Sequence, residues 1–195
     1  MMDGDAPFFT IGHSNRSIEE FTELLKDVDI RILADIRTVP RSRANPQFNR
    51  DALPHALAGV GISYEHMASL GGLRGKTRTL SPEIDGFWTN ESFHNYADYA
   101  LSDRFQTGLA HLLDEGAARR CAIMCAEAVW WRCHRRIVAD YLLARGRKVF
   151  HIMARGRLEP ARLTPGAVVE ADWLIHYPSA QSPGDSAMDH QSMPE

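Results

Sequence analysis

The chain has 195 residues, of which 44% are hydrophobic and 24% are charged, and its formal net charge at pH 7 is -3. These values are those of an ordinary globular protein, so they exclude a chain that is disordered throughout, a collagen-like fibre and a polycation built for DNA. No apolar run approaches the roughly 18 residues that a membrane span needs, so we expect no membrane partner.

The cysteines and the first residues both bear on the cellular compartment. Three cysteines in a chain of this size do not make a disulfide framework. The first five residues lack the basic and apolar regions of a secretory signal. We therefore expect a cytoplasmic protein, in which the cysteines are thiols or metal ligands.

The two ends of the chain differ in composition from its middle. Residues 1–6 and 178–195 lack apolar periodicity, and the second segment is rich in Ser, Pro and Gly. We predict a flexible N-terminus over 1–6, a single domain over 7–177 and a flexible C-terminal tail over 178–195.

Short apolar runs alternate with helical patterns in the first part of the domain. Ser17 and Glu20 form a capping box, which predicts a helix that starts directly after Ser17. Three runs predict strands, and a helical pattern lies between the second and the third. The strands cover residues 8–11, 31–36 and 62–66, and the helical pattern covers residues 53–60.

Residues 68–90 interrupt this alternation with a long segment that has no regular pattern, which is typical of a lid or binding loop. Helical stretches around 93–101 and 104–115 follow it. Residues 121–125 are nearly all apolar, as in a central parallel strand that is buried on both faces. A helix, a fifth strand over 148–152 and a short edge element around 168–175 complete the predicted elements.

This order of elements predicts an α/β fold. We expect a single domain with a mostly parallel central sheet of about five strands, flanked by helices. Open sheets of this type bind ligands outside the carboxyl ends of their strands, which is where we expect the site.

Ionisable residues follow four of the predicted strands directly. Arg, His and Cys predominate among them, whereas ordinary loop solvation, the alternative explanation, would be served by Lys, Ser and Glu. Guanidinium groups make forked contacts to phosphate or carboxylate, so the pattern favours an anionic ligand, such as a nucleotide or nucleic acid. The residues predicted to hold it are Asp35, Arg37, Arg41, Arg43, Arg74, His134 and Arg135.

Residues 125–135 are the most informative stretch, with Cys125 at the end of a strand and Cys133 near the first turn of a helix. A helix amino end and nearby arginines lower the pKa of a thiol, so either cysteine can be a nucleophile. Glu127 or His13 would then move protons. We take Cys125, Glu127, Cys133 and His13 as the candidate catalytic residues.

Two alternatives to thiol chemistry stay open. Cys125, Glu127, Cys133 and His134 are ligand types for zinc or iron. However, the spacing is not a CxxC pair, and adjacent side chains on a helix point about 100° apart, which disfavours a closed four-ligand site. Both thiols can also be small buried hydrophobes. The sequence requires no cofactor.

Motifs along the chain resemble those of the family called domain of unknown function 488. They run from residues 11–14, 35–37 and 40–43 through 46–48, 61–64 and 70–74 to 125–127 and 133–135, within a span of about residues 8–153. The resemblance implies a compact α/β fold and a shared site at these motifs, and it implies no reaction.

These observations favour an enzyme that acts on an anionic small molecule or nucleic acid, with the 68–90 segment closing over the site. A non-catalytic nucleic-acid-binding module is the main alternative, and a metal-binding protein is the second.

Overall fold

The computed structural model describes residues 6–75 and 86–179. None of the helices in these ranges is long and apolar enough to cross a membrane. The predicted ends of the chain, and the middle of the predicted 68–90 loop, fall largely outside the described residues.

A six-stranded sheet forms the centre of a single α/β domain, which confirms the predicted fold class. The strands are arranged in the order β3-β2-β4-β1-β5-β6, and all neighbours pair in parallel except β5 and β6. They are β1 Phe8–Gly12, β2 Ile32–Asp35, β3 Ser63–His66, β4 Cys121–Cys125, β5 Val149–Ala154 and β6 Arg157–Pro160.

Five α-helices flank the sheet within the described residues. The predicted capping box is present, because the Ser17 side chain accepts a hydrogen bond from the Glu20 backbone N–H at the start of the first helix. The helices are α1 Ile18–Lys26, α2 Leu53–Ala58, α3 Glu91–Ala100, α4 Asp103–Ala118 and α5 Arg135–Ala144. Short 3-10 helices cover Pro46–Phe48, Ala68–Leu70 and Trp130–Arg132.

The last strand of the sheet is a feature that we did not predict. Gly156, at φ +67°, turns the chain back after β5, and β6 then pairs antiparallel with it. The predicted edge element near residue 170 is not part of this sheet, because β7 Val168–Val169 and β8 Ile175–His176 pair only with each other. Their two residues each are too short to carry a strand pattern.

Each face of the sheet has its own apolar core, because alternate side chains of the strands point to opposite faces. One core joins the sheet to α1 and α2 and includes Phe9, Phe21 and Leu57. The other joins it to α3, α4 and α5 and includes Tyr96, Leu109 and Val138. Consequently, the chain leaves β1 toward one face and β4 toward the other, although these strands are neighbours.

Candidate functional site

The divergence of the chain after β1 and β4 makes a crevice at the carboxyl edge of the sheet, which is where such folds bind ligands. The two loops are in close contact there. The His13 N–H donates to the Cys125 carbonyl at 2.9 Å, and the Ser14 N–H donates to the Ala126 carbonyl at 2.9 Å. A Cβ atom on Gly12 would overlap the backbone oxygen of Glu127, so this position requires glycine.

The thiols of Cys125 and Cys133 and the imidazole of His134 converge at this edge, and these three residues are here called the cluster. The Nδ1 atom of His134 lies 3.8 Å from Cys125 Sγ and 3.6 Å from Cys133 Sγ, and all three atoms lie within 4.8 Å of one another. His134 Nε2 is 3.0 Å from the Ile36 carbonyl oxygen. A carbonyl only accepts, so Nε2 is the donor, and in the singly protonated tautomer that this bond selects, Nδ1 presents its lone pair to the sulfurs.

The backbone around residue 133 explains this convergence and corrects our geometric prediction. Cys133 is extended, at φ -128° and ψ 144°, and follows the 3-10 turn Trp130–Arg132. His134 is the residue before the first turn of α5. The two side chains are therefore not on successive helical positions, and the predicted 100° divergence between them is wrong.

The two thiols differ in acidity. Burial raises the pKa of the Cys133 thiol, but a hydrogen bond from Cys125 and the charge of Arg135 outweigh burial, and the pKa is lowered to about 7. For Cys125, the hydrogen bond to Cys133, together with burial, raises the thiol pKa to about 12. The interaction between the two thiols therefore favours the thiolate form at Cys133 and the protonated form at Cys125.

Arg135 is a buried cation directly behind Cys133. It is 1% exposed, its Nη2 donates to the Glu127 carbonyl at 2.7 Å, and its Nε has no hydrogen-bond partner. Its backbone N–H lies 3.5 Å from Cys133 Sγ, at the amino end of α5. Among the residues that the structure describes, it forms no ion pair with a carboxylate. A buried charge needs a counter-charge, and the Cys133 sulfur is the one at hand.

A cavity of about 380 Å³, here called the thiol cavity, opens above the cluster. Glu127 and Arg132 are both exposed on its wall. Asn90 caps α3 by accepting from the Ser92 N–H at 2.9 Å, so the amino ends of α3 and α5 both reach the cavity. Its lining is Arg37, Thr38, Val39, Gly72, Leu73, Asn90, Ser92, Phe93, Cys125, Ala126, Glu127, Arg132, Cys133 and His134.

Asp35, Arg37 and His13 form a buried chain beside the thiol cavity. Arg37 donates to Asp35 through Nε at 2.9 Å and Nη2 at 2.6 Å, and Tyr64 donates to the same carboxylate at 2.8 Å. Arg37 Nη1 lies 3.2 Å from His13 Nε2, which must be the acceptor because a guanidinium only donates. Asp35 therefore positions Arg37 and lines neither cavity.

His13 is held as a neutral ring. Burial lowers its pKa to about 4. The charge of Arg37 also lowers this pKa, whereas the hydrogen bond to the Ser14 carbonyl raises it. Its ring stacks on Phe48 with centroids 4.3 Å apart. Both ring nitrogens contact partners other than the sulfurs, so the structure brings His13 to Arg37 rather than to the thiols.

A second cavity of about 380 Å³, here called the arginine cavity, shares Arg37, Val39 and Ala126 with the thiol cavity. Arg41 is exposed on its wall, and its side chain forms no hydrogen bond or ion pair with the described residues. Its other lining residues are His13, Ser14, Asn15, Ser42 and Asn45. Arg43 is exposed and lines neither cavity.

Arg74 and Trp130 pack against other side chains of the protein and have structural roles. The Arg74 guanidinium lies 3.6 Å from the Tyr99 ring centroid and donates to the carbonyls of Gly71 and Ala68, so it does not reach either cavity. Trp130 stacks on His151 with centroids 4.5 Å apart, whereas Trp131 is exposed. Cys121 is buried in the core of the sheet, as expected from its place in the apolar run.

Sequence reasoning did not assign a site role to Arg132 or Ser92, and it included Gly72 and Asn90 only as part of the 68–90 segment that we predicted to close over the site. Arg132 adjoins the 133–135 motif, and that adjacency was a usable signal. Gly72 is required by its neighbour, because a Cβ atom there would overlap Nδ1 of His134. Asn90 and Ser92 reach the cavity only through the position of α3, which the sequence does not reveal.

One comparison with known proteins gave a match. The family model described as "Domain of unknown function DUF488" matches residues 17–142, which include Cys125, Cys133 and His134. No curated protein and no solved structure matched the chain.

Proposed function

The chain belongs to the DUF488 family, whose description assigns no function, and from the geometry of the site we propose that it is an enzyme acting on a small anionic substrate. The substrate binds in the thiol cavity, and Cys125, Cys133 and His134 carry the chemistry.

The observation that carries this proposal is the convergence at the base of the thiol cavity. The Cys125 thiol at the end of β4 lies within 4.8 Å of the thiol and imidazole of the adjacent Cys133 and His134, and all three groups line a cavity that also contains Arg132. Structural thiols pack against apolar side chains and need neither an imidazole nor an opening to solvent.

The charges around the cavity support an anionic substrate. The Arg132 side chain forms no hydrogen bond or ion pair with the described residues, so none of these residues competes with a ligand for its donors. The amino ends of α3 and α5 add partial positive charge at the same cavity. Arg41, in the adjoining arginine cavity, would extend the same favourable field to a longer anion.

The size of the cavities favours a small molecule over a nucleic-acid strand. About 380 Å³ lies at the lower end of the range for small-molecule pockets. Of the five arginines that the sequence offered as phosphate ligands, Arg37, Arg74 and Arg135 are engaged with other groups of the protein. A non-catalytic nucleic-acid-binding module therefore has the weaker support.

Binding and turnover can be tested separately. Thermal-shift and calorimetric titrations would use inorganic phosphate and adenosine monophosphate as probes, with uncharged adenosine as the control. Arg132→Ala should weaken binding of the charged probes by about tenfold, since a charge-assisted contact contributes 1.5 kcal/mol or more. Arg104→Ala, at an exposed arginine outside both cavities, should leave binding unchanged.

Turnover would be followed with a panel of chromogenic phosphate and carboxylate esters. Activity should be lost in Cys133→Ser and kept in Cys121→Ser, a matched change at the buried cysteine outside the cluster. Binding of the charged probes without any turnover would support the non-catalytic alternative, and the absence of both would overturn the proposal.

A further inference from the structure

The spacing of the three cluster atoms matches the ligand shell of a tetrahedral zinc ion. With Zn–S of ~2.3 Å and Zn–N of ~2.0 Å, sulfur and nitrogen ligands lie ~3.5 Å apart, and two sulfurs lie ~3.8 Å apart. The observed sulfur-to-nitrogen distances are 3.6 Å and 3.8 Å, and no pair among the three atoms exceeds 4.8 Å. A single ion at the centre can therefore reach all three atoms with little movement.

The groups around these atoms hold them as outer-shell partners hold metal ligands. A metal-binding histidine usually donates its other N–H to a carbonyl or carboxylate, and His134 donates Nε2–H to Ile36 at 3.0 Å. The ring is also packed edge-on against the buried Tyr96, with centroids 4.9 Å apart. The Arg135 backbone N–H points at Cys133 Sγ, which is the usual second contact of a ligating sulfur.

The fourth coordination position would face the thiol cavity, because Cys125, Cys133 and His134 all line it. Glu127 lines the same cavity without joining the three-atom group, so no fourth protein ligand closes the site among the described residues. Three protein ligands with an open position distinguish catalytic zinc sites from structural ones. Two thiolates and one imidazole also select zinc over calcium or magnesium, which prefer oxygen ligands.

The charge balance connects such an ion to an anionic substrate. Zinc with two thiolates and a neutral imidazole has no net charge, so the ion would neutralise the Cys133 thiolate that otherwise balances the buried Arg135, and Arg135 would need a new counter-charge. An anionic group of the substrate at the fourth position would provide it.

We infer that Cys125, Cys133 and His134 bind one zinc ion through two Sγ atoms and Nδ1, with the fourth position open to an anion in the thiol cavity. The inference deepens the proposed function and rests on it for the identity of the fourth ligand. The three protein ligands stand on their own geometry.

The test is metal binding by the full-length chain, measured without any activity assay. The purified protein would be stripped with a chelator, titrated with Zn²⁺ against a chromophoric competitor and, separately, with Co²⁺ as a spectroscopic probe. We expect one tight equivalent of Zn²⁺, and for Co²⁺ the intense visible bands of a tetrahedral site together with thiolate-to-cobalt charge transfer. The cobalt spectrum needs no variant, so it reports on the site even where a substitution prevents folding.

Matched variants separate this site from a surface group of metal-ligand type. Glu65, His111 and Glu115 also bring three ligand atoms within 4.8 Å, but His111 is exposed and the group has no sulfur. His134→Ala and Cys133→Ser should each lower zinc affinity by at least about 100-fold. His111→Ala and Cys121→Ser should leave the tight equivalent and the charge-transfer bands unchanged.

The outcomes distinguish this inference from the proposed function. Loss of the tight equivalent only in His111→Ala, or a cobalt complex without sulfur charge transfer, would overturn the zinc site. A protein that binds no Zn²⁺ tightly but still binds phosphate and turns over an ester is a metal-free thiol enzyme, which overturns the inference alone. Tight binding of Zn²⁺ without any binding of phosphate or adenosine monophosphate supports the zinc site and counts against the proposed function.

Discussion

Replacement of Asp35 by Asn tests the buried pair that positions Arg37. Asp35 is fully buried and accepts four hydrogen bonds, from the Nε, Nη2 and backbone N–H of Arg37 and from the Tyr64 hydroxyl. Asn removes the charge and leaves the buried Arg37 guanidinium without its counter-ion. Breaking one side of a buried pair costs roughly 3–5 kcal/mol, a large part of the ~5–15 kcal/mol that stabilises a typical domain.

The matched control is an ion pair with the same separation at the surface. Arg31 and Asp29 are also 2.6 Å apart, but their side chains are 59% and 68% exposed, whereas those of Arg37 and Asp35 are 6% and 0% exposed. Asp29→Asn should cost less than about 1 kcal/mol, and Asn tolerates the φ of +55° at this position.

Urea unfolding of both variants gives the free energies directly. A double-mutant cycle with Arg37→Met should recover part of the Asp35→Asn loss, since it removes the uncompensated cation. Equal and small losses for Asp29→Asn and Asp35→Asn would refute the argument that burial, rather than distance, decides the strength of these pairs.

Two further predictions concern the cluster and the pH dependence of folding. In Gly72→Ala the new methyl would overlap His134 Nδ1, so zinc affinity should fall by about 10–100-fold, whereas Gly75→Ala, with nothing within 4 Å, should bind as the wild type does in the same titration. Burial, reinforced by Arg135, lowers the pKa of His151 from 6.5 to about 4, so the stability from its neutral ring is present above pH 6.5 and is lost as the pH falls toward 4. Between pH 7.5 and 5 this loss amounts to about 2 kcal/mol, and urea unfolding at the two pH values should show a correspondingly smaller drop in His151→Gln than in the wild type. An equal fall in the free energy of unfolding in both proteins would contradict the lowered pKa of His151 as its cause.

The sheet was predictable because its strands are short apolar runs that alternate with helical periodicity. The 121–125 run is buried at every position, as a central parallel strand must be. By contrast, β6 contains two charged residues and a proline, so it resembles a loop in composition. Its pairing depends on the turn at Gly156, which places it beside β5.

The site was predictable in position but not in detail. Chain topology brings His13, Arg37 and Cys125 to one edge of the sheet, and that follows from strand order alone. Which side chains meet there depends on local backbone that no periodicity reveals. The 3-10 turn before Cys133 lies in a Val-Trp-Trp run that resembles core, and this turn aligns the sulfur with His134. Arg74 meets Tyr99, 25 positions later in the sequence, because α3 passes over the loop.

The contact between the loops that follow β1 and β4 has a consequence for ligand binding. Two backbone hydrogen bonds and the close approach at Gly12 fasten the cysteine-bearing loop on one side, and Arg135 fastens it through the Glu127 carbonyl on the other. A segment that is fixed on both sides loses little conformational entropy when a ligand binds to it. The surface that we propose as the binding site is thus ordered during folding, so a ligand that binds there would not lose affinity to the cost of ordering it.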